Sequence, residues 1–446
     1  MSIHGIVAML AFIVSIILTL RQPSVNFPFF SRRVRIDYGS APLLCALVLL
    51  AIPGMPASTL LASGLFGCSY IKPYSVIIFI LSLSYICISL DCTGFFEHVS
   101  LRVVEVGRAS GIKLFAYLFL MTSFLTMFTS NDVVILTVTY VILYMAVHAK
   151  IDPVPFLVAQ FFAANVLSMG LYVGNPTNIV IADAFGIEFI EFARWMLIPS
   201  IAATFTCLFL LMLIFRRRIP GRLELAVNGS AALKDRRGAI FGLLVLGAML
   251  FVISLPGDYI DAQPWTIALS FATIMALYNL AFNRSRAKTV IFRMPWKIAP
   301  FLVGLFIIVE ALAVSGWTGL FAPAILKIIS EDALITVPSL SFLSALAAGL
   351  MNNHPMTVFF VKMIKENLSS HLSGMTEIGV MSALVIGSNL GANYMLTGAL
   401  AGLMWNKILS EKGVKISFSQ FSKYGFLVMP LLTLATSLSF VAMSTL

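Results

Sequence analysis

The chain has 446 residues, 60% of them hydrophobic and 11% charged, with a formal net charge of +10, and its mean hydropathy is +0.99. Soluble domains average about 45–50% apolar and about 25% charged residues, so no soluble core hides this much apolar surface. The apolar residues come in blocks of roughly 15–20, the length of a bilayer span, and the basic residues sit in the loops between blocks, where they set topology. That placement excludes a nucleic-acid partner.

The first block, 6–20, lacks the basic leader and small-residue cleavage site of a signal peptide. Arg21, Arg32, Arg33 and Arg35 follow it instead, so it reads as a retained first helix with its N-terminus outside. Segment 21–35 is therefore cytoplasmic. So are 216–238 (Arg216, Arg217, Arg218, Arg222, Lys234, Arg236 and Arg237 against Glu224 and Asp235), 283–297 (Arg284, Arg286, Lys288, Arg293 and Lys297) and 406–423 (Lys407, Lys412, Lys415 and Lys423 against Glu411). Segments 183–194 (Asp183, Glu188 and Glu191 against Arg194) and 256–263 (Asp258 and Asp261) are acidic and lie outside.

These signs place spans at 4–20, 40–53, 73–91, 154–182, 195–215, 238–255, 264–281, 298–315, 376–405 and 421–443. Segments 114–147 and 337–368 must begin and end on one side, and each has a polar break. They read as re-entrant hairpins, which survive at membrane depth only under a cover of protein or around a water-filled cavity. The expected fold is an all-α membrane protein of about 10 transmembrane helices plus two re-entrant hairpins, with both termini outside. Arg102, Glu105, Arg108 and Lys113 suggest an amphipathic surface helix before the first hairpin.

The two halves match weakly in register. Thr93-Gly94 pairs with Thr318-Gly319, Ser130-Asn131 with Asn352-Asn353, and Gly174 with Gly391, at offsets of 225, 222 and 217 residues. Loop signs invert between 1–220 and 221–446. The N-terminal repeat then holds hairpin 114–147 and broken span 154–182, and the C-terminal repeat holds hairpin 337–368 and broken span 376–405. Inverted repeats are the plan of secondary transporters, with the site near the midplane.

Four polar islands interrupt the apolar runs. They are Thr129-Ser130-Asn131-Asp132, Gly174-Asn175-Pro176-Thr177-Asn178, Asn352-Asn353-His354-Pro355-Met356-Thr357, and Gly387-Ser388-Asn389-Leu390-Gly391-Ala392-Asn393 followed by Thr397. Such residues end helices and expose backbone donors and acceptors. Their amide and hydroxyl groups suit a small polar solute, neutral or anionic, or a bound Na⁺. Alone, each island also fits helix packing.

The expected substrate-binding residues are Ser130, Asn131, Asn175, Thr177, Asn178, Asn352, Asn353, Thr357, Asn389, Asn393 and Thr397. Asp132 is an ionisable group at a hairpin tip, which is costly and functional by default, as proton carrier or cation ligand. Glu310, in an apolar span, either titrates during transport or pairs structurally across the bundle. His354 is a candidate proton switch or a neutral hydrogen-bonding imidazole. Asp91 and Glu97 beside Thr93-Gly94 read as cap or interface residues. Cys45, Cys68, Cys87, Cys92 and Cys207 read as packing residues. No metal site, cofactor or enzymatic constellation is expected, and without a phosphate-binding loop the chain does not itself hydrolyse ATP. Gly242 and Gly247 are candidates for a homodimer contact.

The stretches LDCTGFFEH, FTSND, GNPTNIV, GLMNNHPMT and GSNLGANYMLTGALAGLMW resemble the ion-transporter superfamily, most closely the arsenite–antimonite efflux permeases of the ArsB type. The resemblance covers nearly the whole chain. It implies an inner-membrane carrier for As(OH)₃ or Sb(OH)₃ driven by protons, with a cytoplasmic ATPase subunit as a further partner in some arsenite pumps. Asp132 stands where dicarboxylate symporters of the superfamily have threonine, which fits proton coupling and repels a dianion. A sodium-coupled di- or tricarboxylate transporter and a Na⁺/H⁺ antiporter of the same superfamily are the alternatives. Against an anion carrier, no Arg or Lys lies inside a predicted span apart from Lys423 at the end of 421–443.

Overall fold

The computed structural model describes residues 2–26, 33–107, 109–221, 232–257 and 259–445. Of the charges used above, Arg32, Arg108, Arg222, Glu224 and Asp258 lie outside the described residues.

Helix α1 (Ile3–Arg21) leads into a short antiparallel ribbon, β1 (Ser24–Asn26) with β2 (Arg33–Arg35). This ribbon, read above as a plain basic loop, is the one departure from an all-helical fold among the described residues. Span 40–53 is only α2 (Ser40–Leu50) followed by a separate helix α3 (Ala57–Leu65), with Pro53, Gly54 and Pro56 between them. Prolines remove donors and disfavour helix on their N-terminal side.

The third span, α4 (Pro73–Cys92), ends where Gly94 adopts φ +82°. A Cβ there would meet the Ala232 carbonyl at 2.0 Å, so only glycine lets the chain turn against that strand of backbone. Helix α5 (Phe95–Gly107) is the expected surface helix, with an exposed Arg102–Glu105 pair. It stops earlier than expected, because Lys113 belongs to the first hairpin arm. The hairpin is α6 (Gly111–Phe128) and α7 (Asn131–Ala149). The broken span is α8 (Val154–Val166), two 3₁₀ turns, and α9 (Pro176–Phe185), followed by α10 (Phe189–Phe215).

The second half repeats this order. Helices α11 (Arg236–Ser254) and α12 (Pro264–Phe282) precede α13 (Arg284–Arg293), a helix where a basic loop was expected. Span α14 (Ile298–Val314) and surface helix α15 (Trp317–Leu326) lead into hairpin α16 (Ala333–Met351) and α17 (Asn353–Asn367). The second broken span is α18 (Gly374–Gly391), an irregular stretch with a 3₁₀ turn at Leu396–Gly398, and α19 (Leu400–Glu411); α20 (Phe418–Ser444) closes the chain.

Among the described residues, ten helical stretches are long and apolar enough to cross a membrane. The number matches the expectation but the membership differs. The hairpin arms α6, α7 and α16 qualify, whereas 40–53 and the first broken span are split into shorter pieces, and neither α18, interrupted by its polar Gly387-Ser388-Asn389 end, nor the shorter α19 is among the ten.

The packing is reciprocal, as two inverted repeats require. Helix α9 packs on α17, and its counterpart α19 packs on α7. Helix α2 packs on α14, and α12 packs on α4. Helix α10 packs on α20. Gly242 is buried against Leu90 of α4, so it serves internal packing and not a dimer face, while a Cβ on Gly247 would meet open space.

Candidate functional site

The first hairpin turns through Thr129 and Ser130 in extended conformation. The Thr129 hydroxyl donates back to the Leu125 carbonyl at 2.6 Å. The second hairpin turns at Asn352 alone, with φ +78° and ψ 148°. A non-glycine residue there costs on the order of 1–3 kcal/mol. The Asn352 side chain offsets this locally, accepting from the His354 N–H at 3.2 Å and donating to the Thr397 carbonyl at 3.0 Å. In the first broken span, Asn175 caps α9, its Oδ1 accepting from the Thr177 N–H at 3.2 Å.

Two buried amide networks join the halves. In one, Asn131 Nδ2 of the first hairpin tip donates to Asn165 Oδ1 at 3.2 Å, and Asn165 Nδ2 donates to Asn393 Oδ1 of the second broken span at 2.9 Å. In the other, Asn389 is the hub. Its Oδ1 accepts from Asn175 Nδ2 at 2.9 Å and from the Ser168 hydroxyl at 3.2 Å, and its Nδ2 donates to Asn178 Oδ1 at 2.7 Å. Asn178 Nδ2 donates to the Ser168 and Leu171 carbonyls, and the Thr177 hydroxyl donates to Ser388 Oγ at 3.3 Å. The two broken spans therefore cross and hold each other through neutral side chains.

Some buried atoms stay unpaired among the described residues: Asn131 Oδ1, Asn393 Nδ2, Thr357 Oγ1 and His354 Nε2. Most buried polar groups in native proteins have a partner, so each of these asks for one. Asn131 and Asn393 both bond to Asn165, and between them they leave one acceptor and one donor unused.

Below the first tip lies a cavity of about 790 Å³. Ser130, Asp132, Pro176 and Leu400 line it, so three helix N-termini, of α7, α9 and α19, border on it. Helix N-termini carry positive partial charge and free N–H groups. Arg21, Arg35, Arg293, Lys297 and Lys407 line the walls, all from segments that the loop charges assign to the cytoplasm. The Asp132 carboxylate lines this cavity with no hydrogen bond or ion pair among the described residues.

In the lining of this cavity, Lys297 Nζ lies 2.6 Å from the Asp37 carboxylate. Partial burial alone would raise the Asp37 carboxyl, but Lys297 and the N–H and hydroxyl of Ser40 outweigh it and hold it below the usual carboxylate range. A lowered carboxyl stabilises the fold above its unfolded value, about pH 4, and the stabilisation is lost as pH falls through the folded value. Thermal unfolding in detergent between about pH 3 and 6 checks this. Wild-type protein is expected to lose stability over that range faster than Asp37→Asn.

The other ionisable candidates lie elsewhere. Glu310 is not part of the amide cluster. Its carboxylate sits 2.5 Å from Lys362 Nζ on α17 and 2.5 Å from the Ser63 hydroxyl, and Lys362 also reaches Glu366 at 2.6 Å. Of the two expectations for Glu310, the structure shows the pairing partner. Lys362 lies in the second hairpin, not in a span, so the rule that no cation sits inside a span left it out. Breaking a buried pair costs about 3–5 kcal/mol, whereas replacing both partners by apolar residues is often neutral. Glu310→Met alone is expected to lower thermal stability markedly, and Glu310→Met with Lys362→Met to restore it, as a melting comparison reads directly.

His354 packs edge-on against Phe301, ring centroids 5.5 Å apart, with Nδ1 2.9 Å from Asn353 Oδ1. Asp91 is not a cap. It accepts from the Thr137 hydroxyl at 2.8 Å and from Arg293 at 2.5 Å, clasping the return arm of the first hairpin.

Asn165, Ser168 and Gln160 escaped the sequence reading. Gln160 ties α8 to α7, donating to the Ile135 carbonyl at 2.8 Å and accepting from Thr139 at 3.0 Å. The available signal was amides inside the apolar run VAQFFAANVLS, with no glycine or proline to mark them.

Two hairpins, two crossed broken spans and reciprocal packing define a multi-pass membrane transporter. The family described as arsenical pump membrane protein matches residues 65–443, and the chain belongs to that family. It is 30% identical over 367 residues, 80% of this chain and 83% of the relative, to a protein of Escherichia coli strain K12 named arsenical pump membrane protein. A putative arsenical pump membrane protein of Bacillus subtilis is 24% identical, over 80% of this chain and 85% of that one. An uncharacterised transporter of Mycobacterium tuberculosis is 26% identical, over 80% of this chain and 83% of that one. The fold resembles the crystal structure of the Alcanivorax borkumensis YdaH transporter, described as having an unusual topology. The TM-score is 0.59 at 13% identity, covering 98% of this chain and 97% of that one.

Proposed function

We propose that this carrier exports As(OH)₃ and Sb(OH)₃ across a bacterial inner membrane, driven by the proton motive force, with both termini outside. The observation that carries the reading is the Asn131–Asn165–Asn393 chain, which leaves one buried acceptor and one buried donor without a partner among the described residues, while Ser130 and Asp132 on either side of Asn131 line a cavity on the predicted cytoplasmic side. A neutral triol donates and accepts hydrogen bonds, so amides and hydroxyls match it without a formal charge. The names of the relatives support the substrate class.

In this reading Ser130, Asn131, Asn165, Asn175, Thr177, Asn178, Asn389 and Asn393 hold the solute from the first hairpin and the crossed spans. Asn352, Asn353, Thr357 and Thr397 form the matching surface at the second tip. Asp132 carries the coupling proton. Repeats 1–220 and 221–446 supply one hairpin and one broken span each, and these rock against the remaining helices to alternate access.

The test is thermal stabilisation of the purified protein by arsenite, antimonite, citrate, succinate and Na⁺, since a ligand bound to the folded state raises its stability. Stabilisation by arsenite or antimonite that disappears in Asn131→Ala supports the reading. Stabilisation by carboxylates or Na⁺ alone sinks the metalloid assignment. A second reading, a sodium-coupled carboxylate carrier, is favoured by the five basic residues and three helix N-termini around the cavity. Sodium dependence of transport separates the two. Co-purification of an ATPase would indicate a pump subunit in place of a self-sufficient carrier.

A further inference from the structure

We infer that one face of α17 forms an outer proton path, running from the external surface through Glu366 and the Lys362–Glu310 pair to His354 at the tip of the second hairpin. The inference rests on the reading above that transport is proton-driven. It assigns a role to charged groups that the solute site does not use.

Residues His354, Val358, Lys362 and Glu366 follow one another at intervals of four, so they line a single stripe of the helix. The stripe runs from the hairpin tip to the end that the loop charges place outside. Glu366 is the entry group, with its side chain 32% exposed. Lys362 and Glu310 lie one step deeper, with side chains only 9% and 10% exposed. Ionisable groups at such depth are costly, and their usual justification is a pathway or relay. Between them is a chamber of about 10 Å³ lined by Ser63, Cys68, Tyr70, Glu310 and Lys362. That is room for about one water, with polar partners on several sides.

Val358 lines the inner side of that chamber, and one turn nearer the tip α17 carries two buried polar atoms without a partner among the described residues, Thr357 Oγ1 and His354 Nε2. An imidazole whose Nδ1 is engaged by Asn353 and whose Nε2 is free has one nitrogen left to exchange a proton. The groups facing Glu310 are Ser63 of α3, Cys68 and Tyr70 of the following segment, and Lys362 of α17. Lys362 also faces Glu366, and the Tyr70 ring centroid lies 5.7 Å from its Nζ. Lys365, the next cation on α17, is held away by Glu377 of α18 at 3.0 Å and takes no part.

The step conserves charge and atoms. A hydronium from the outer water gives its proton to the Glu366 carboxylate, and the proton passes to Glu310, whose carboxyl then releases the Lys362 ammonium to Glu366. Glu310 gives the proton to water in the chamber, from which it moves inward past Val358 to His354 Nε2, and Lys362 returns to the regenerated Glu310 carboxylate. The pair thus acts as a valve that opens only while a proton is in transit.

The test uses full-length protein in liposomes with two readouts. One is arsenite counterflow, which needs no net proton movement. The other is net arsenite flux driven by an imposed pH gradient. For Glu310→Met with Lys362→Met, counterflow is expected within about twofold of wild type and gradient-driven flux at least tenfold lower. Glu366→Gln, which leaves the buried pair intact, is expected to shift the dependence on external pH toward acid. As a readout free of arsenite, an external pH step should produce infrared carbonyl bands of protonated carboxylic acids, and the component from Glu310 should be missing in Glu310→Gln.

Gradient-driven flux in the double variant within twofold of wild type, or an infrared response unchanged in Glu310→Gln, overturns the path while leaving proton coupling standing. Equal loss of counterflow and driven flux also overturns it, since the pair is then structural. A wild-type carrier that ignores the pH gradient overturns the coupling itself, and this path with it.

Discussion

Asp132→Asn is expected to leave the protein folded and able to exchange substrate, while abolishing accumulation against a gradient. The carboxylate makes no hydrogen bond or ion pair among the described residues, so its removal strands no partner. Its favourable position in the first turn of α7 is worth only about 0.3–1 kcal/mol. The effect on coupling is far larger. A potential of about 100 mV is worth about 2.3 kcal/mol per charge moved. At about 1.4 kcal/mol per decade, that sustains a gradient of roughly 50-fold per proton. Removing the coupled group brings the steady-state ratio to about one. Arsenite accumulation in everted vesicles with the potential clamped measures it directly, and a variant that still concentrates substrate tens of times rules Asp132 out as the coupled group.

Asn389→Ala should produce the largest combined loss of stability and transport. The amide accepts from Asn175 and Ser168 and donates to Asn178 and to the Val385 carbonyl at 2.8 Å, with no exposed surface. Truncation leaves at least three buried groups without partners, at about 1–3 kcal/mol each. Allowing for relaxation, a net loss of about 3 kcal/mol is expected, with transport reduced to background because the two broken spans lose their shared anchor. Asn352→Ala, which removes a single tip contact and one cap, should cost less. Melting temperatures of the two variants side by side test the ranking, and equal or reversed shifts would show that Asn389 is not the hub.

Much of the architecture was legible because membranes make strict demands. Block length, charge sign and polar breaks are each one-dimensional signals, and together they placed both hairpins and both broken spans to within a few residues. The short helices were harder. Helix α13 was read as a basic loop, and α3 and α15 fell between predicted spans, because nine- or ten-residue helices carry little periodic signal. The pairing of β1 with β2 was missed for the same reason.

The site divided along a similar line. Asn131, Asn175, Asn178, Asn389 and Asn393 announced themselves because they sit beside glycine, proline or a hairpin turn. Asn165, which joins Asn131 to Asn393, gave no such notice, since an amide in mid-helix looks like packing glue until its partners are known. Glu310 was visible as an anomaly, but its meaning depended on Lys362, 52 residues later. Composition and pattern by themselves determined that this chain spans a membrane as two inverted halves with polar breaks at matching positions, because burying backbone in lipid leaves few alternatives. Only the tertiary structure decided which amides pair, which charge is neutralised and which carboxylate stands alone before a cavity. Those outcomes depend on contacts between residues as far apart as Asn165 and Asn393, and no local signal encodes such a distance.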